Sequence, residues 1–256
     1  APQFDDISYG IDDTTGHVGY LKKVTPNESN GSLVYPGPVI SEVTHGPDPL
    51  LPGDDVVVTA RVMPRDDDAA VQSVTLSVRV GFSAEGNGLS MKDDGTGEDA
   101  TAGDGVYTAV ISGRTLFGPR IKPGEMVRWA VTATDKRNDG SRLPAFLDQT
   151  GVEQSPEYFG AVTQNAGFET PLSLFEWFSD DVRNARSRRG ARAAVQFNDT
   201  FYDNIFVRQR GGATNGQSQK FNFSNAFPCF VNEDLPAVGE LNLNAQGGDT
   251  TFLRQP

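Results

Sequence analysis

The chain has 256 residues, 37% of them hydrophobic, which is long enough for two domains with separate cores; its 28 Gly and 16 Pro suit a loop-rich β protein better than a helical bundle. A formal charge of −12 argues against a general nucleic-acid binder. The one cysteine, Cys229, excludes a disulfide within the chain, and its neighbours Phe227 and Phe230 point to a buried apolar thiol. No stretch approaches the roughly 18 apolar residues of a membrane span. No secretory leader pattern opens the sequence, so Ala1 reads as a mature end or a cut.

In chain order, residues 1–35 alternate apolar positions around Ile7, Tyr9 and Ile11 and then turn at Pro26, Asn27 and Gly31. The segment is too short to bury a core of its own. Its wording, DISYG followed by GYLKKVTPNESN, resembles the C-terminal end of a lamin-tail domain, which implies the edge of a small sandwich.

From 36 to 163 the pattern is β throughout. Runs at 39–44, 55–62, 73–80, 106–111 and 126–134 alternate inward apolar residues (Val56, Val58, Ala60, Val62; Val74, Leu76, Val78, Val80) with polar or small ones. Proline and aspartate clusters mark the turns. About seven short strands describe an immunoglobulin or fibronectin type of β-sandwich, with Trp129 as its core anchor. EMVRWAVTATD resembles the F strand of such extracellular sandwiches, which implies a scaffold role.

Within this region MKDDGTGEDATAGDGVYTA crowds Asp93, Asp94, Glu98, Asp99 and Asp104 into one glycine-rich loop. Oxygen-only ligation of that kind suits calcium and excludes a thiolate or imidazole site. The spacing is not that of an EF-hand, although a similar loop recurs in extracellular immunoglobulin-like domains. The alternative is an Asx-rich turn whose carboxylates cap backbone amides without metal.

Residues 148–168 carry few apolar repeats and read as a linker. The following TPLSLFEWFSDDVRNARSRRG reads as a capped helix start at Thr170 and Pro171, with Leu172, Phe175, Trp177 and Phe178 as its apolar side. Arg183, Arg186, Arg188, Arg189 and Arg192 stand out in an acidic chain: a contact for phosphate or acidic substrate, or a solvated helix end.

Two β-type runs, 201–207 and 219–223, flank the glycine-rich loop RGGATNGQS. Such a loop can fold its amides over an anion, though it lacks P-loop spacing and also fits a plain hairpin. The run YDNIFVRQRGGATNGQSQKFNF, with ELNLNAQGGDTTFLRQP after it, is similar to the CotH family of spore-coat-type atypical kinases, as is LSLFEWFSDDVRNARS before it, a place where the resemblance implies an extended piece followed by a helix. One departure is Gln219–Lys220, where the family has a lysine pair.

The resemblance implies a mainly β protein: an immunoglobulin/fibronectin-like β-sandwich followed by a partial α+β kinase-like lobe over 164–256. It implies nucleotide binding by Arg208, Arg210, Gly211, Gly212, Gly216 and Lys220, and ATP with magnesium in the complete parent protein. The family's metal-binding aspartates lie beyond Pro256, and Asp249 reads better as a helix cap. The expectation is therefore an inactive stretch of a secreted or cell-surface protein, with Phe221, Phe223, Phe227, Phe230, Leu241 and Leu243 exposed until a protein partner or the rest of the chain covers them. The alternative is an adhesion or structural protein with a non-catalytic CotH-like module. Neither His17 nor His45 has a partner at metal-ligand spacing. No G-x-S-x-G elbow supports a serine hydrolase.

Overall fold

The fold is taken from a computed structural model, which describes residues 8–21, 25, 27–31, 33, 36–65, 69–83, 86, 88–113, 122–145, 155–164, 173–211, 218–224 and 227–244. It is mainly β, in antiparallel sheets. A first hairpin pairs β1 (Ser8–Ile11) with β2 (Val18–Leu21). Its turn is closed by Asp12, which accepts from the amides of Thr14 (2.8 Å) and Thr15 (3.1 Å). Tyr9, Ile11 and Val18 stay exposed on one face.

Two sheets then share one core. The first contains β3 (Val39–Gly46), β4 (Val56–Met63) and β7 (Val106–Ile111), in the order β3-β4-β7. The second contains β5 (Val71–Val80), β6 (Leu89–Met91), β8 (Met126–Asp135), β9 (Gly140–Leu143) and β10 (Phe159–Val162), in the order β10-β8-β5-β6 with β9 also paired to β8. The predicted alternation holds: Val56, Val58, Ala60 and Val62 meet Val74, Leu76, Val78, Val127, Trp129 and Val131 in a single buried cluster. Full burial of each such aliphatic side chain stabilises by about 1.5–3 kcal/mol. Trp129 is 1% exposed, as an anchor should be, and its ring meets that of His45 at a tilt, with centroids 5.0 Å apart.

The expected linker is partly sheet. β10 pairs with β8 along Phe159–Trp129 to Val162–Met126, and Gly160, Ala161 and Val162 are buried. Gly160 is not a loop marker here: a Cβ on it would sit 2.5 Å from Phe201 Cε1. The missing side chain lets another sheet approach closely.

That sheet is a meander of β11 (Phe175–Phe178), β12 (Ala191–Phe197), β13 (Thr200–Gln209), β14 (Gln219–Asn222) and β15 (Glu240–Leu243), each paired with the next. Thr170 to Leu172 lie outside the described residues, and the apolar run after them is strand rather than helix. Phe175 and Trp177, two apart, turn their rings onto Phe221 at 4.9 and 6.0 Å between centroids. Aromatic residues at period two favour the pleat over the helical stripe. The helix comes later and is one turn, α1 (Val182–Ala185), capped by Asp181, whose carboxylate accepts from Asn184 N at 3.0 Å.

Beneath the meander, Val195, Tyr202, Ile205, Val207, Phe221, Phe223 and Cys229 form a second core. Phe221 and Phe223 are thus buried rather than exposed, because the described stretch closes over them without further chain. Leu241 packs at its margin, while Phe227, Phe230 and Leu243 do remain exposed. Cys229 is a buried free thiol, and the Tyr202 hydroxyl above it accepts from the Phe230 amide at 2.9 Å.

The meander and the two-sheet body meet through Met126, Val162 and Ala194, with Phe82, Phe178 and Phe201 around them. At the centre of this contact Arg128 of β8 donates to Asp203 of β13 at 3.0 Å, with side chains 4% and 1% exposed.

Candidate functional site

The outer face of the meander presents the residues singled out around the glycine loop. In β13 and β14, Val207 pairs with Phe221 and both face the core, so the next residues, Arg208 and Lys220, pair on the opposite face. The register continues into β15: Lys220 lies opposite Asn242, and Asn222 opposite Glu240. Two cations directly across a strand pair repel, which costs stability unless a counter-charge is near. Glu240 supplies part of it through an ion pair with Lys220 and a bond from Asn242 Nδ2 at 2.9 Å. Its carboxyl is held below the usual range by the Lys220 bond first, then by the Asn242 bond, with Arg208 adding a smaller charge effect.

This leaves Arg208 without an ion-pair partner among the described residues. Beside it, the Oδ1 atoms of Asn222 and Asn242 are buried and unpartnered. A buried acceptor without a donor is costly, so this face has unused hydrogen-bonding capacity next to an uncompensated cation. Such a face suits a polar anionic ligand that also carries a donor group.

Arg210 stands just past the strand, its Nη1 donating to Asn244 Oδ1 at 2.6 Å and its amide to Ser218 O at 2.9 Å. Gly211 follows with φ +70, a left-handed conformation that turns the chain into the glycine loop. Gly212 and Gly216 lie outside the described residues, as does Asp249. The structure thus brings Arg208 and Lys220 together and places Arg210 and Gly211 at the strand's end. Glu240, Asn222 and Asn242 were not singled out from sequence. Their signal was legible: polar residues two apart in QKFN and ELNL mark one solvent-side face on neighbouring strands.

The acidic loop is organised differently. Asp93 accepts from the amides of Gly103 (2.6 Å), Asp104 (3.2 Å) and Gly105 (3.0 Å). Asp99, which is buried, accepts from Gly95 N (2.6 Å), Asp94 from Thr96 N (3.0 Å), and Asp104 from Val106 N (2.9 Å). Lys92 approaches Asp94 at 3.7 Å, and Glu98 is exposed. Among the described residues no three His, Cys, Asp or Glu side chains are gathered so as to hold a metal ion. The carboxylates fan out to separate amides, which is the geometry of the capping alternative.

No helix among the described residues is long and apolar enough to cross a membrane. No protein-family model matches the chain, and no curated protein is similar to it.

Proposed function

We propose that the meander is the nucleotide-facing part of a CotH-type, kinase-like lobe carried on an immunoglobulin-like β-sandwich, in a secreted or cell-surface protein whose complete form transfers phosphate from ATP to protein. The observation that carries this reading is the cross-strand pair Arg208–Lys220 beside the glycine loop, with Glu240 on the lysine. A strand, a glycine-rich loop and a second strand bearing a lysine held by a glutamate are the parts that position nucleotide phosphates in kinase-type lobes. Magnesium, when bound in the complete protein, would supply positive charge to neutralise that developing on the phosphates. Here Arg208 and Lys220 would bind phosphate, and Glu240 would orient Lys220. The strand order supports the sandwich half of the reading, because strands one, two and five of that body form one sheet and three, four, six and beyond the other.

Beside the Arg208–Lys220 pair Glu240 is the one carboxylate among the described residues of β13, β14 and β15, and Lys220 occupies it. Phosphoryl transfer needs one carboxylate for magnesium and another to orient the acceptor hydroxyl, so this stretch by itself is inactive. Calorimetric titration of the full chain with Mg-ATP tests the reading. Lys220→Ala should weaken binding by about tenfold or more, and unchanged affinity removes Lys220 from the site.

A second reading, a structural or adhesion module, is favoured by the buried Arg128–Asp203 pair that joins meander to sandwich. It requires no Mg-ATP binding by the chain or by any longer form of the protein. For location, an export signal in the full-length gene supports display outside the cell, and its absence counts against it.

A further inference from the structure

The exposed arginines of the meander gather at one end of it. Ser187 O accepts from the Gln209 amide at 2.8 Å, which lays the loop after α1 along the last residues of β13. The pairing of Ala191 with Val207 brings the residues just before it, Arg188 and Arg189, alongside Gln209 and Arg210. The loop is held firmly: Arg189 N donates to Ser187 Oγ (3.1 Å) and Gly190 N to Asn184 O (3.1 Å). Gly190 has φ +75, and a Cβ there would sit 2.3 Å from Phe206 Cζ. Arg186, Arg188, Arg189 and Arg210 are all exposed. None has an ion-pair partner among the described residues, although acidic residues outnumber basic ones by 34 to 22 in the chain. Asp181 feels Arg183 and Arg189 but is engaged by Asn184 N (3.0 Å) and by Asn184 Nδ2 (2.6 Å).

We propose that Arg186, Arg188 and Arg189, with Arg210 at the margin, form a docking surface for a short acidic peptide segment of a partner protein. Guanidinium forks bind carboxylates bidentately, and a backbone already fixed lowers the ordering cost of binding. Nucleic acid fits poorly, since base stacking needs exposed aromatic rings. The exposed Phe227 and Phe230 lie by Tyr202, seven residues back along β13, or roughly 23 Å at about 3.3 Å per residue. The net charge of −12 also repels a long polyanion while leaving a short segment free to reach this end. The proposal does not rest on the nucleotide reading, because Arg186, Arg188 and Arg189 lie outside the nucleotide set, which shares only the marginal Arg210 with the docking surface.

The test is fluorescence anisotropy of a labelled oligoglutamate peptide with the full chain, at low and at physiological ionic strength. Arg188→Glu with Arg189→Glu should weaken binding by about tenfold or more. Lys122→Glu with Lys136→Glu, an equal charge change on exposed sandwich positions, should change it less than about twofold. Arg188→Ala with Arg189→Ala, checked for an unchanged melting curve, should show the same direction as the reversal. Lys220→Ala should leave the peptide bound. Equal losses in both charge-reversal pairs, no binding at low ionic strength, or tighter binding of single-stranded DNA or anionic vesicles than of the peptide would each overturn the proposal.

Discussion

Replacing Asp203 by Ala removes the centre of the contact between sandwich and meander. The Asp203 side chain is 1% exposed and satisfies three donors: Arg128 Nη1 at 3.0 Å, Tyr158 N at 2.9 Å and Glu157 N at 3.1 Å. Truncation leaves a buried guanidinium unpaired, and breaking a buried pair from one side costs about 3–5 kcal/mol. Arg128 keeps two bonds to Gly81 O (3.1 and 2.7 Å) and its stacking on Phe82 and Tyr158, which moderates the loss. The two orphaned amides add to it, each by about 1–3 kcal/mol if water does not reach them. A net destabilisation of about 4 kcal/mol is expected. Trp129 lies in the sandwich and Trp177 in the meander, so Trp177→Phe and Trp129→Phe backgrounds report each body separately in urea. In the parent the two fluorescence transitions should coincide; in Asp203→Ala they should separate, the meander melting first. Arg128→Met with Asp203→Leu should recover at least half of the loss, because an apolar pair leaves no buried charge. A loss below about 1 kcal/mol, or transitions that never coincide in the parent, would refute the coupling argument.

Gly160→Val should destabilise by about 1–3 kcal/mol in urea by forcing a side chain into Phe201, and Phe201→Ala in the same chain should relieve most of that strain; an innocuous Gly160→Val would mean that the sheets part easily. Burial holds the His45 imidazole below its ordinary value of about 6.5, with Asp48 opposing weakly. The unfolded chain therefore takes up the proton first, so stability should fall as pH drops from about 7 through 6.5 to the lowered folded value and level off below it. His45→Gln should flatten that slope, and an unchanged slope would rule out His45 as its source. At the acidic loop, amide capping predicts that millimolar calcium and EDTA give melting temperatures within about 1 °C of each other, whereas Asp93→Ala costs about 1–2 kcal/mol. A rise of several degrees with calcium would support the metal reading instead.

Where a strand's partner face is local and periodic, the sequence pattern sufficed. Val56 to Val62 and Val74 to Val78 alternate cleanly because each strand buries one face only, so the period of two survives in the residues, and it lapses at the half-buried Val80. β10 escaped because Phe159–Val162 is short and buried on both faces; its glycine looks like a linker until Phe201 is seen against it. Phe175 and Trp177 were read as a helix side because Phe178 follows at once. That residue belongs to the opposite face, toward Met126 and Val162 in the other body. At the candidate site, Arg208, Arg210 and Lys220 were legible as charges near glycines, but their counter-charge Glu240 is 20 residues further on and becomes a neighbour only through the register of β14 with β15.

The same limitation bears hardest on Arg128 and Asp203, 75 residues apart. In sequence each is a lone charge inside a β-type run, Arg128 between Val127 and Trp129 and Asp203 after Tyr202, and a charge in an alternating strand reads as solvated. Here the outward face of β8 is covered by a second sheet, so the polar position of the alternation becomes interior and must be paired. A buried pair contributes little net stability compared with apolar packing, yet it penalises any arrangement in which the sheets slide and the charges part. One consequence follows from geometry: Asp203 and Arg208 share β13, so the strand anchored to the sandwich near one end carries Arg208 of the candidate site near the other. On the proposed nucleotide reading, loosening the pair should therefore weaken Mg-ATP binding in Asp203→Ala even though neither clamp residue belongs to the candidate site. Calorimetry on that variant, beside Lys220→Ala and under conditions where both are folded, separates the two effects. Affinity unchanged in Asp203→Ala would show that β13 holds its own position without the sandwich.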